Sequence, residues 1–167
     1  MQYWIIFDLW PVNQKKQTFK KDERLSSRKM IENLFASGHT AINAYPIRVV
    51  FKSAPIPLPH PVQSMFVVPK RIFRRAHDRN LLRRRMKEAY RLNKNALYEQ
   101  LGQRQLHVAF IYIAKEKADF IAIEKGLLKG FQKLLWLFFV SVLDVSIKRT
   151  GHAWIFRCWC ENIQTVT

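Results

Sequence analysis

One stretch of the sequence, residues 70–94, has the residue types and spacing that give the clearest chemical signal. Eleven of its side chains are Lys or Arg, and only Asp78 and Glu88 oppose them. Basic residues recur at intervals of four along one face of a predicted helix: Arg79, Arg83, Lys87 and Arg91. A solvated charged face usually alternates in sign, whereas this face does not. Because guanidinium groups match phosphate oxygens in a bidentate way, the stretch predicts a surface that binds nucleic-acid phosphates.

The acidic residues show no arrangement suited to hydrolysis. A protein nuclease usually needs carboxylates grouped around metal ions, or a His and Lys arrangement. The 12 acidic residues are scattered, and the only adjacent pair is Asp22-Glu23, which we interpret as the lead into a helix. His77 lies between Arg75 and Arg79, so we interpret it as an RNA-binding or helix-capping residue rather than a general base. We therefore predict a binding protein with no catalytic side chains.

Composition supports one folded domain with an anionic partner. The chain has 167 residues, a formal net charge of +17 and 49% hydrophobic residues, which is enough for its own core. Nucleic acid and an anionic membrane surface both fit this charge, and aromatic residues within the basic segments favour nucleic acid. The apolar run at 134–143 is about half the roughly 20 residues that a membrane span needs. A buried helix end or an interfacial segment is the better interpretation, and no stable membrane partner is expected.

The two cysteines, Cys158 and Cys160, are too few for a disulfide framework and fit a reducing cytoplasm. Together with His152 they could hold zinc, but without a fourth ligand this signal is weak, so we predict no metal site.

Periodicity then gives the elements that must position the basic stretch. A helix capped by Ser26 or Ser27 is followed by a strand within 41–52 and a stiff, proline-rich loop. A second strand at 63–68 precedes a long helix, capped by Asp78, that runs to about Gln100. A buried strand at 106–115 and a helix at 117–135 complete the order. The pattern predicts an α+β fold in which helices pack on one sheet.

Several positions of the basic stretch agree with a known signature. At fixed spacing, the stretch resembles the signature of the bacterial ribonuclease P protein component. The matching positions are Lys70-Arg71, the run 75–80, the pair Arg83-Arg84, then Lys87-Glu88 and Arg91. The resemblance covers roughly residues 19–135. It departs at Pro69, where a small polar residue is usual, and at Leu81, where a further Arg is common. We therefore divide the chain into an N-terminal extension (1–17), an RNA-binding domain (18–137) and a C-terminal extension of unknown role (138–167).

The resemblance implies a fold, partners and a division of labour. The fold is a sheet of about four strands with three helices in the order αβββαβα, as in a domain of ribosomal protein S5, with a left-handed βαβ crossover. The catalytic subunit is RNA, which holds Mg²⁺ and removes the 5′ leader of precursor tRNA. The protein binds the RNA subunit through the following residues: Lys70, Arg71, Arg74, Arg75, His77, Arg79, Asn80, Arg83, Arg84, Lys87 and Arg91.

The resemblance also implies a cleft for the single-stranded leader. Ile31 and Phe35 take the matching positions on the first helix, and Arg48 reaches the same groove from the sheet. Ile31 fits the hydrophobic core equally well. Two other classes remain open: a basic structural protein of the ribosome or another RNA chaperone, and a membrane-surface protein.

Overall fold

A computed structural model describes residues 18–36, 38–54 and 57–150, and it describes the side chains up to residue 138. The elements follow one another as α1 (Arg28–Phe35), β1 (Thr40–Ala44), β2 (Ile47–Ser53), β3 (Val62–Val67), α2 (Ala76–Leu101), β4 (Leu106–Tyr112) and α3 (Phe120–Thr150). This order confirms the predicted α+β class with three helices and four strands.

The four strands form one mixed sheet in the order β1-β2-β4-β3. β2 pairs antiparallel with β1 and with β4, whereas β3 and β4 run parallel and are connected through α2. The carboxyl ends of β3 and β4 therefore lie at the same edge of the sheet, next to the start of α2. The left hand of this crossover stays a prediction.

The sheet is covered on both faces. On one face, Val50 and Ala109 form a buried cluster with Leu25 and with Leu34 of α1. On the other, the ring of Phe110 lies 5.5 Å from that of Tyr90 in α2 and 6.0 Å from that of Phe131 in α3. Alternate residues of β4 thus face different helices, which explains why this strand is almost uniformly buried and reads as a continuous apolar run.

The structure corrects the prediction of a single strand within 41–52. Two strands, β1 and β2, form a hairpin there, and the Tyr45-Pro46 peptide bond, which is cis, lies in its turn. The alternation continues through the turn, so periodicity alone does not reveal it. Gly126 of α3 packs closely on this turn: a Cβ there would lie 2.6 Å from Pro46 Cδ and 2.8 Å from the Tyr45 carbonyl oxygen.

Two helix boundaries also differ from the predicted ones. α2 begins at Ala76 with Arg75 as its N-cap residue, so Asp78 is not the cap but lies in the first turn. α3 continues past the predicted end at residue 135 to Thr150, because no proline or glycine interrupts the sequence between Gly130 and Gly151.

The chain divides into two compact units, Met1–Lys133 and Leu134–Thr167. The sheet, α1, α2 and the first part of α3 belong to the first unit, and the rest of α3 belongs to the second. None of the helices within the described ranges combines the length and the apolar content that crossing a bilayer requires. The N-terminal extension, Cys158 and Cys160 lie outside the described residues, and the predicted domain limits stay predictions.

Candidate nucleic-acid interface

The loop before α2 presents exposed cations from a fixed backbone. Phe73 is 7% exposed, and its ring lies 5.7 Å from that of Tyr112 in β4. The backbone N–H groups of Ile72 and Phe73 both donate to the Pro69 carbonyl, each at 3.2 Å. Four basic side chains of this loop are exposed: Lys70, Arg71, Arg74 and Arg75.

Arg79 forms hydrogen bonds within the protein. Its Nη1 donates to the carbonyl of Phe73 at 2.9 Å and to that of Arg74 at 2.5 Å, and the side chain is half-buried. Part of its hydrogen-bonding capacity is therefore used to hold the basic loop against the helix. Both acceptors are backbone carbonyls, so the side chain keeps its positive charge, and its contact with RNA stays a prediction.

Further along α2, the outward positions carry cations without carboxylate partners. Arg84 and Lys87 are exposed and form no ion pair within the described part of the chain. His77 and Asn80 are exposed as well. Arg83 is half-buried, and its Nε is buried without a hydrogen-bond partner among the described residues.

Arg91, the last member of the predicted row, is neutralised by its own helix. Its Nε and Nη2 donate to the two carboxylate oxygens of Glu88 at 2.9 Å and 2.6 Å. The hydrogen bond from Arg91 lowers the pKa of the Glu88 carboxyl, and the same bond raises the pKa of Arg91. Arg91 is thus paired within α2, as its separation of three residues from Glu88 allows, and its contact with RNA stays a prediction.

Two other basic residues of the stretch contact the protein itself. Lys94 is buried, and its Nζ lies 2.5 Å from the Glu23 carboxylate. Arg85 donates from Nη1 to the Ala118 carbonyl at 2.7 Å. Of the eleven basic side chains, the exposed ones are Lys70, Arg71, Arg74, Arg75, Arg84 and Lys87.

Asp78 forms an ion pair outside the basic stretch. Its carboxylate lies 2.8 Å from Lys117 Nζ, and this hydrogen bond lowers the pKa of the Asp78 carboxyl. The carboxylate is thereby paired with a lysine of the β4–α3 loop. Because it lies in the first turn of α2, its negative charge also interacts favourably with the helix dipole.

A cavity of about 560 Å³ opens at the edge where the parallel strands end. It is lined by Arg71 and Ile72 after β3 and by Ile113 and Lys115 after β4. Sequence reasoning missed Lys115. Its signal was its place directly after a buried strand, because the carboxyl ends of adjacent parallel strands meet at one edge.

The loop that carries Lys115 is held by the side chain of Tyr112. The Tyr112 hydroxyl donates to the Glu116 carbonyl at 2.6 Å and accepts from the Ala118 N–H at 2.8 Å. Burial raises the pKa of this hydroxyl. In its protonated form the hydroxyl can make both of these hydrogen bonds, one as donor and one as acceptor.

The predicted leader cleft lies on the α1 face of the sheet. Phe35, the last residue of α1, is 43% exposed, and Arg48 is exposed with its Nε donating to Asn43 Oδ1 at 2.7 Å. Ile31 is half-buried against the cluster that contains Leu25 and Val50, which supports the core alternative for it.

Comparison with known proteins identifies the family. The family model described as Ribonuclease P matches residues 19–135, which is more than half of the chain. The chain belongs to the ribonuclease P protein family.

Individual relatives agree with this assignment. The chain is 38% identical over 119 residues to a ribonuclease P protein component of Porphyromonas gingivalis, covering 68% of this chain and 84% of the relative. The ribonuclease P protein of Thermotoga maritima has a TM-score of 0.53 at 21% identity, with 66% of this chain and 96% of that chain covered. The Staphylococcus aureus ribonuclease P protein also gives 0.53, at 14% identity, with 68% and 95% covered. At these identities the two solved structures show the shared fold.

For this ribonuclease P family member, the structure brings the predicted RNA-binding residues into one continuous region of the loop and α2. It separates them from Phe35 and Arg48, which lie on the α1 face. Among the described residues, no group of three or more His, Cys, Asp or Glu side chains could hold a metal ion. The assigned binding roles stay predictions.

Proposed function

We propose that this chain is the protein subunit of a ribonuclease P, the ribonucleoprotein endonuclease that removes the 5′ leader from precursor tRNA. The match of residues 19–135 to the family carries this proposal. The exposed cations of the 70–75 loop and of α2 support it, because a cationic surface of this kind requires a polyanionic partner.

The basic surface binds the catalytic RNA subunit. Each guanidinium or ammonium group that contacts a phosphate releases a condensed counterion and reduces the repulsion between RNA strands that fold close together. Bound protein thus does part of the work that Mg²⁺ otherwise does in screening phosphates. The protein therefore lowers the Mg²⁺ concentration at which the RNA subunit is active.

The leader of precursor tRNA binds in the groove beside α1. The exposed ring of Phe35 offers a stacking surface worth about 1 to 3 kcal/mol per base, with little demand on sequence. Arg48 supplies a cation on the same face. Ile31 has no ring to stack and packs against the core cluster next to α1. Phe35 therefore makes the larger contribution to leader binding.

The chemistry belongs to the RNA subunit, which holds the Mg²⁺ ions. The described side chains of the protein include no cluster of metal ligands, so they do not fit a metal-binding role. The complex acts in the cytoplasm.

Reconstitution with the RNA subunit at low Mg²⁺ tests the proposal. The wild-type protein is expected to promote cleavage of precursor tRNA at Mg²⁺ concentrations where the RNA alone is inactive. Changing Arg74 and Arg75 to Ala should raise the Mg²⁺ concentration required. Changing Lys125 and Lys129 of α3 to Ala removes the same charge from exposed positions outside the interface and should leave the requirement unchanged.

Two results would contradict the proposal. Tight RNA binding without promotion of cleavage favours a basic ribosomal or other structural RNA-binding protein. Equal effects of the two double variants would show that net charge, and not the loop before α2, sets the Mg²⁺ requirement.

A further inference from the structure

Residues 18–25 form a strap that connects the two faces of the sheet. The strap starts on the α2 face, where the ring of Phe19 lies 5.6 Å from that of Tyr90 in α2 and 5.8 Å from that of Phe66 in β3. It ends on the opposite face, where Leu25 is buried in one cluster with Leu34 of α1. The strap therefore contacts both α1 and α2, the two helices that bind RNA in the proposed function.

The strap crosses the sheet at the outer edge of β3. The Leu25 N–H donates to the Ser64 carbonyl at 3.0 Å, and Gln63 Nε2 donates to the Asp22 carbonyl at 3.0 Å. Arg24 forms a parallel bridge with Ser64. These bonds fix the path of the strap along β3, and α1 begins only three residues after Leu25.

A buried ion pair connects the strap to α2. Lys94 Nζ donates to Glu23 Oε1 at 2.5 Å, to Oε2 at 2.6 Å and to the Thr18 carbonyl at 2.5 Å. Two carboxylate oxygens and one carbonyl match the three donors of an ammonium group. The side chains of Lys94 and Glu23 are 5% and 4% exposed.

Burial of such a pair is not explained by stability alone. The cost of removing both charges from water is comparable to the attraction gained, and apolar residues of similar volume often serve at least as well. An ion pair does, however, specify one geometry. Lys94 lies in the same helix as Arg84 and Lys87, so the pair relates the strap to the basic surface of α2.

We propose that Glu23 and Lys94 are positioning residues that set α1, the wall of the leader groove, in register with the RNA-binding surface of α2. The inference rests on the proposed function. Loss of the pair lets the strap shift along β3, so Phe35 no longer meets the leader while α2 still binds the RNA subunit. Binding of the leader and binding of the RNA subunit should then respond differently to the same substitution.

The test uses the reconstituted holoenzyme with precursor tRNA and with tRNA that lacks the leader. For Lys94→Met, affinity for the RNA subunit should stay within about twofold of wild type, whereas the leader-dependent gain in substrate affinity falls about tenfold. KM for precursor tRNA should rise with kcat unchanged. The paired exchange Glu23→Lys with Lys94→Glu restores an ion pair and should recover most of the gain.

A stability control separates positioning from general loosening. Phe131→Leu disturbs the aromatic cluster on the α2 face, where its ring lies 6.1 Å from that of Tyr90, and leaves both partners of the Glu23–Lys94 pair in place. It should lower the melting temperature while keeping the leader-dependent gain. If Lys94→Met does not fold, Glu23→Gln keeps the shape of the pair while removing one charge, and it should show a smaller loss in the same readout.

The possible outcomes are distinct. An unchanged gain in the Lys94 or Glu23 variants, or an equal loss in Phe131→Leu, overturns the inference. A wild-type holoenzyme that binds both tRNAs equally contradicts the proposed leader groove, and the inference falls with it.

Discussion

The two parts of the basic stretch differ in the surroundings of their cations. In the first part, residues 70–87, six side chains of Lys and Arg are exposed. In the second part, residues 88–94, both basic side chains have carboxylate partners: Arg91 pairs with Glu88 and Lys94 with Glu23. The placement of carboxylates thus separates the part with exposed cations from the part whose cations pair within the protein.

The two ion pairs of the second part also differ from each other. The pair between Arg91 and Glu88 is partly exposed, and such pairs are worth about 0 to 1 kcal/mol, so competition from a phosphate is feasible. The pair between Lys94 and Glu23 is buried and cannot exchange partners without opening the core. Substitutions along α2 should therefore report on stability at one end and on RNA binding at the other.

The largest expected effect is on stability. Lys94→Met leaves the Glu23 carboxylate buried without its partner, which should lower the free energy of unfolding by about 3 to 5 kcal/mol. Arg84→Ala changes an exposed side chain and should stay within about 0.5 kcal/mol of wild type. Urea unfolding followed by circular dichroism measures both. Similar losses for the two variants would show that burial does not distinguish the two parts.

The next-largest effect is on RNA binding. Here a residue of the first part, Arg84, should matter more than a residue of the second part, Arg91. Arg84→Ala removes an unpaired cation, so the slope of log affinity against log salt should fall by about 0.9, with a loss of roughly fourfold near 0.2 M salt. Arg91→Ala removes a cation that Glu88 already neutralises and should change the slope by clearly less. Filter binding to the RNA subunit over a range of salt concentrations compares them. Equal slopes would contradict the division.

Sequence reasoning predicted what depends on local spacing. The periods of α2 and β4 gave their type and approximate limits, and the proximity of Glu88 to Arg91 follows from their separation of three residues on one helix. Partners that are distant in sequence could not be found in this way. Glu23 precedes Lys94 by 71 residues and meets it only because the strap passes beside α2.

Three other features of the structure were also not predictable from local spacing. Lys117 meets Asp78 through the parallel arrangement of β3 and β4, and Lys115 joins Arg71 for the same reason. The hairpin turn at Pro46 was hidden because the apolar alternation runs through it. In each case tertiary contacts decided what a side chain does, and neither composition nor period records them.

A smaller effect, which depends on pH, is expected on the stability that Asp78 contributes in the first part of the stretch. Pairing with Lys117 lowers the folded-state pKa of Asp78 below its ordinary value of 3.8. The stability that comes from this pair is therefore present above pH 3.8 and is lost as the pH falls through the lowered pKa. Lys117→Met should be less stable than wild type at pH 7, and the difference should disappear in acid.

Urea unfolding of both proteins between about pH 2 and pH 7 measures the difference. A difference that stays constant down to the lowest pH would show that Lys117 stabilises the protein through its aliphatic packing and not through Asp78.

The smallest expected effect is a gain in RNA affinity from a substitution that gives the second part of the stretch an unneutralised cation, as in the first part. Glu88→Gln removes the carboxylate that accepts from Nε and Nη2 of Arg91, so these two groups become available to a phosphate. Affinity for the RNA subunit should rise up to about fourfold near 0.2 M salt, and the salt slope should steepen by up to about 0.9. The free energy of unfolding should fall by only about 0.2 to 0.5 kcal/mol, the worth of a helical pair at this spacing.

Glu32→Gln is the matched control for this gain. It removes one negative charge and breaks the exposed pair with Arg28 at 2.9 Å on α1, away from the basic surface of α2. In binding assays with the RNA subunit alone, its salt slope should equal that of wild type. If the two glutamine variants gain affinity equally, net charge explains the effect. If only Glu88→Gln gains, the carboxylates within α2 set the extent of the RNA-binding surface.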